Sequence, residues 1–299
     1  QTFSLNKGDV LQLVSKTDFN VATCPDVGTK SSPDADMFEF CTGGNTYDLT
    51  GSRVTASAPV AVFGGHNCSN VPYNYRACDH LEEFMFPLET WGSHFFVGLT
   101  HPVEELTSET NVVRILSGAT QSISVTIEPS IHGTITLEPG EYFEFLPPQG
   151  NHLEITATGP ILIGKFTVGQ RYWTESQSAS GDPAFGLVIP LEQYRNQYTF
   201  TTPTSMTVNY VNVIAPIPQD GDTPIILDGI NLTADMYEPI SGGYGIARVD
   251  VTAMGSQGSH SIHCPDESVR FGIEVYGFAN YTSYLYPGGL DLNLINPME

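Results

Sequence analysis

Apolar and polar positions alternate with a period of two along most of the chain. In SISVTIE (122–128), Ile123, Val125 and Ile127 fall on one side and Ser124 and Thr126 on the other, the pattern of a half-buried strand. DVLQLV, RVTAS, NVVRIL, TITLEPGEYFEF, HLEITAT, YTFTTP, VNYVNVIA, PIILDG and GIEVYGF repeat it, rich in β-branched and aromatic residues. The 29 glycines and 21 prolines punctuate these runs. Helical spacing is clear once, in HLEEFMFPL (80–88), where Leu81, Phe84, Met85 and Leu88 share a helical face until Pro87 interrupts it. One turn or a packed loop is expected there. The predicted fold class is all-β, with antiparallel sandwich-like units in tandem.

The pattern repeats on a larger scale. His94–Gln170 and Gln197–Ala279 run in parallel: HFFVGLT against YTFTTP, NVVRILSGA against NYVNVIAPI, SVTIEP against PIILDG, LEPGEYFEF against PISGGYGIARV, then a closing hairpin. The start of the chain matches only the second half of this unit, with SLNKGDVLQL on TLEPGEYFEF and RVTASAPVAVFGG on EITATGPILIGKF. About two and a half internal repeats result, divided as residues 1–93, 94–180 and 181–299. The half unit would leave a sheet edge open. The strand-like tail LDLNLI (290–295) is a candidate to cover it. Comparison of the units also places a long insertion, about 14–47, inside the first one.

The chain opens at Gln1 with neither an initiator Met nor a signal peptide, so a processed or excised fragment is expected. With 299 residues, 40% of them hydrophobic, it is long enough for two or three cores. No run approaches the ~18 apolar residues of a membrane span. Charge changes the picture more. Thirty-three acids against eleven bases give −22, with an acidic excess in every third of the chain. Such a field repels phosphate backbones and anionic membrane surfaces, so neither nucleic acid nor membrane insertion is expected. It suits basic partners or calcium, or serves solubility in a salty medium.

Candidate chemistry is sparse. Cys24 and Cys41 lie inside the insertion, and a local bridge between them would be worth ~3 kcal/mol. Cys68 and Cys78 flank the loop NCSNVPYNYRAC and make a second local bridge, leaving Cys264 as a free thiol; connectivity itself stays open. In the cluster His66, Cys68, Cys78, Asp79 and His80, the four residues of H-x-C…C-x-H could bind zinc if reduced, and Cys78 with His80 could form a nucleophile pair. An oxidising compartment turns the same thiols into a disulfide, which is the reading taken. Sequons at Asn67, Asn231 and Asn280 are glycosylation candidates. Asp220 and Asp222 could hold a weak calcium ion, the one cofactor considered, although a solvated turn explains them as well. Tyr172, Trp173, Tyr281, Tyr284 and Tyr286, together with Trp91, are candidates for a ligand surface, although such residues more often serve core or strand-edge packing. Hydrolase, zincin and P-loop signatures are absent, and no enzymatic activity is expected.

Longer stretches carry a resemblance. SLNKGDVLQL, DLTGSRVTASAPVAVFGGHNC, CDHLEEFMFPLETWGSHFFV, GDPAFGLVIPLEQYRNQYTFTTP (181–203), YVNVIAP (210–216) and GFANYTSYLYPGGL (277–290) resemble the N-terminal domain of the IgG-Fc-binding protein family. The combination of GxxVTAxxPVAVFxGHxC, a following CDH and a TWG before a strand is specific. Ala184-Phe185-Gly186 departs from it, where members carry a bulkier Met-containing run. The resemblance implies an extracellular or cell-surface, non-catalytic adhesion module, with a protein or glycan as its partner. A self-assembling matrix or filament protein using strand exchange between copies is the second reading, and a metal-dependent hydrolase the last. The stapled segments 14–47 and 66–80 are the expected display loops.

Overall fold

The computed structural model describes residues 1–15, 27–31, 37–41, 48–72, 78–102, 111–170, 180–255 and 258–296, with 27–31 and 37–41 described as backbone only. Cys24, the side chain of Cys41, Tyr172 and Trp173 lie outside the described residues. Strands dominate, every ladder is antiparallel, and no α-helix occurs among the described residues. The all-β, sandwich-like class expected from the alternation is what the chain adopts.

Two hairpins come first: β1 (Val27–Ser31) with β2 (Met37–Cys41), and β3 (Phe63–Asn70) with β4 (Cys78–Phe84). A four-plus-four sandwich follows. One sheet orders β5 (His94–Val97), β10 (Leu153–Ala157), β7 (Ile123–Glu128) and β8 (Thr134–Leu137). The other orders β12 (Phe185–Val188), β11 (Ile161–Thr167), β6 (Asn111–Ser117) and β9 (Tyr142–Phe145). The strand β12 lies past residue 180, where the sequence pattern divides the units.

The second sandwich repeats this order. One sheet holds β13 (Gln197–Thr202), β19 (Gly258–His263), β15 (Ile225–Leu227) and β16 (Ile230–Leu232). Its partner holds β21 (Thr282–Pro287), β20 (Gly272–Ala279), β14 (Val208–Pro216) and β18 (Tyr244–Asp250), extended by β17 (Tyr237–Pro239). The shared order is the structural counterpart of the internal repeat.

Each sandwich closes over its own core. Ile123, Val125 and Ile127 enter the first with Phe95, Ile115, Ile155 and Ile163, as their period of two predicts. Val211, Val213, Ala247, Ile262, Phe271 and Val275 fill the second. Where the two sandwiches meet, Phe96, Ile189 and Tyr194 pack on Ile214 and Ile246, and Ala184 packs on Tyr210, Tyr276 and Phe278. The outer face of β14 and β20 thus rests against the end of the first sandwich.

Three expectations are corrected. HLEEFMFPL is not a turn: Cys78–Phe84 is β4, held by its ladder to β3, and tight turning is confined to the short 3-10 segment Leu88–Thr90 that follows. DVLQLV and RVTAS form no ladder; Val10 is 92% exposed and Val54 59%. The tail LDLNLI is likewise not a strand. It lies along the junction, where Asn293 exchanges hydrogen bonds with Gln193 and the amides of Ile295 and Asn296 reach the Glu89 carbonyl.

Candidate functional site

The β3–β4 hairpin is the stapled surface element that the cysteine spacing predicts. Cys68 and Cys78 are bonded, with their Cα atoms 5.0 Å apart, beside a bulge between His66 and Ser69. One face of the hairpin is anchored. Val71 and Leu81 pack with Val112 and Val168, and the Gly169 amide donates to the Val71 carbonyl at 2.7 Å. The other face shows Phe63 and Phe84 to solvent, their rings in edge contact at 5.4 Å. Phe63 is 61% exposed. The preceding segments add exposed Phe3, Leu5, Val10, Leu13, Val14, Val54 and Val60, so most of the large exposed apolar side chains of the described chain precede β5.

Among the described residues, Arg114 ties these upstream segments to the first sandwich. Arg114 on β6 donates to Thr50 Oγ1 at 2.7 Å and to Asp48 at 3.2 Å, and its guanidinium also pairs with Glu144 and lies over the Tyr142 ring. Tyr142 donates its hydroxyl to Asp48 at 2.9 Å, and its own pKa is pushed up to about 12 by burial and by the Asp48 charge. The Thr50 bonds and Arg114 hold the Asp48 carboxyl below the usual carboxylate range despite its burial.

The remaining predicted residues separate. His66 Nδ1 accepts from the Cys68 amide, His80 meets Glu82 at 3.3 Å, and Asp79 accepts from the His80 amide. Among the described residues no three His, Cys, Asp or Glu side chains converge on a metal position. Asp222 is engaged within its turn by the Gln219 amide, and Asp220 is exposed. Cys264 is a buried free thiol facing the Thr223 carbonyl at 3.6 Å, its pKa raised by burial. Tyr284 and Tyr286 stack at 5.9 Å, with hydroxyls bound to Asn209 and to the Thr201 carbonyl, while Tyr281 stands exposed. Trp91 donates its indole N–H to the Phe86 carbonyl. Asn67, Asn231 and Asn280 are all exposed.

Sequence reasoning missed a polar cluster at the junction of the sandwiches. Lys165 on β11 is wholly buried. Its Nζ donates to Gly98 O at 2.5 Å and to Glu274 Oε2 on β20. Asn212 on β14 stands directly across the ladder from Glu274, and its Nδ2 donates to the same Oε2 and to Leu99 O, both at 3.2 Å. Tyr276 donates its hydroxyl to Asn212 Oδ1 at 2.9 Å and accepts the His101 amide. Burial lowers the pKa of Lys165 and raises that of Glu274, each toward its uncharged form. The available signal was a lysine within ILIGKFT on the face that carries Ile161 and Ile163, a core position where a lone cation is out of place.

Fold and surface together define a tandem β-sandwich scaffold that displays a stapled hairpin at one side. The chain belongs to the IgGFc binding protein family, whose model matches residues 1–277. It is 24% identical over 265 residues to the human IgGFc-binding protein. That match covers 85% of this chain and 4% of the human protein. No solved structure matches the chain.

Proposed function

We propose that this chain is a non-catalytic extracellular module that binds a protein ligand through the exposed face of the β3–β4 hairpin. The observation that carries this reading is the gathering of exposed apolar side chains on and before a hairpin that a disulfide staples and whose opposite face is held by a buried contact. Large rigid aromatic side chains on a preorganised element are what a protein interface uses as anchors. The disulfide and the three exposed sequons support an oxidising, secretory setting. The net charge of −22 favours a ligand with a basic rim.

The name of the human relative makes immunoglobulin Fc the first ligand to try. Purified chain is passed over immobilised IgG Fc beside Phe63→Ser and Phe84→Ser variants. Loss of affinity by about tenfold or more in either variant is expected. Fc binding unchanged by both would remove the hairpin as the site. No Fc binding would remove the immunoglobulin ligand.

A second reading rests on a separate observation: the apolar segment 9–14 is exposed and in no ladder. Copies that exchange such strands assemble. Light scattering of dilute protein tests this, and a strictly monomeric chain would defeat it.

A further inference from the structure

We propose that Lys165 and Asn212 become joined by an autocatalytic side-chain amide bond, with Glu274 as the proton carrier, so that the two sandwiches are covalently cross-linked through their junction. Three elements bring the groups together: β11 supplies the amine, β14 the carboxamide, and β20 the carboxyl. Lys165 Nζ and Asn212 Nδ2 both donate to one oxygen, Glu274 Oε2, and each also binds one of two consecutive carbonyls, Gly98 O and Leu99 O. Attacking and leaving nitrogens are therefore held side by side on the same acid. Glycine at position 98 permits this approach, since a Cβ there would stand 2.9 Å from Asn212 Nδ2.

The rest of the site matches acyl transfer. Burial of Lys165 favours the free amine, the nucleophilic form, and burial of Glu274 favours the carboxylic acid. Tyr276 donates to Oδ1, the oxygen that becomes negative when the amide carbon is attacked. Lys165 Nζ adds to Asn212 Cγ, forming the N–C bond and placing charge on Oδ1. The attacking nitrogen gives a proton to Glu274, and Glu274 gives one to Nδ2. The Cγ–Nδ2 bond then breaks and ammonia leaves, with Glu274 again protonated. One amine and one carboxamide become one secondary amide and one ammonia, with no oxidant, metal or cofactor consumed. Fixed geometry in a site without solvent replaces the activation that such an exchange needs in water. A simple ion pair would leave the amide and the Tyr276 hydroxyl with no part to play, and a buried pair of this kind adds little stability of its own.

The test is mass analysis of the folded, purified chain after reduction of its disulfides. Trypsin should yield a branched peptide joining residues 115–171 to 196–248, lighter by one ammonia (about 17 Da) than its two linear parts, with Lys165 uncleaved. Localising the loss to this branch separates it from cyclisation of Gln1. In Glu274→Gln, which keeps the shape of the side chain but cannot carry the proton, the linear peptides 115–165, 166–171 and 196–248 should appear instead, with the fold verified by circular dichroism. Linear peptides from the wild-type chain would overturn the proposal. So would a branch in Glu274→Gln, or a branch from 115–171 to 271–299 with loss of water, which would make Glu274 the acyl group.

Discussion

Gly51 sits with φ +87°, and a Cβ there would stand 2.1 Å from the Gly140 carbonyl oxygen. Both the left-handed backbone and the close approach demand glycine. The leading Gly of GxxVTA thereby has a physical role, letting residues 48–51 lie on the β8–β9 turn beside Arg114. Gly51→Ala should destabilise this contact by more than about 1 kcal/mol, read as earlier proteolysis before residue 60 with the sandwiches still protected. Asp182 makes a second case. Burial first, and the Asp79 charge second, push its pKa up to about 6 from the usual 3.8. Between those values the native chain holds a proton that the unfolded chain has released, so stability falls as pH rises through that window and the loss is complete above it. Asp182→Asn should therefore raise Tm above about pH 7 and leave it unchanged near pH 4. A gain equal at both pH values would contradict the shift. At this scale legibility was uneven. Cys68 with Cys78 could be paired from spacing, and Cys264 left over. Lys165 could not be joined to Asn212 and Glu274, because it meets them only after the two sandwiches dock.

Strands with strict alternation were legible because one face meets a core and the other does not, as in Ile123–Glu128. The same logic failed for Cys78–Phe84, whose spacing also fits one helical face; the neighbouring strand and the staple decided between them. It failed again for residues 9–14 and 53–57, since alternation marks a capacity to pair and says nothing of whether a partner exists. The hairpin lends itself to a direct test. Replacing both Cys68 and Cys78 by Ser should remove about 2–3 kcal/mol, given the short closed loop. Hydrogen exchange should then accelerate in β3 and β4 while β6 and β11 stay protected. Uniform acceleration through the first sandwich would mean that the staple supports more than its own ladder.

The two sandwiches share a buried seam, with Phe96 stacked on Tyr244 at 4.6 Å and His101 on Tyr210 at 4.7 Å. Each depends on the other to cover apolar surface, so thermal unfolding should be a single calorimetric transition. Ile246→Ala, in the fully buried seam, should lower that transition by an amount equivalent to about 2–5 kcal/mol without splitting it. Two resolved transitions in the unmodified chain would show the seam to be weak. Net charge acts at the same scale. With −22 spread along the molecule, self-repulsion should lift Tm as salt rises from about 10 to 150 mM, and a Tm that falls instead would point to favourable surface pairing outweighing repulsion.

The hydrogen bonds from residues 293–296 to Gln193, Leu88, Glu89 and Trp91 have a mechanical meaning. Traction on residue 296 is delivered first to the segment that leads into β5, and only after this clasp yields does it reach the edge strand β21. The final sandwich is thereby spared peeling from its rim, and a tethered molecule would resist flow by shearing several bonds at once where it would otherwise unzip them one by one.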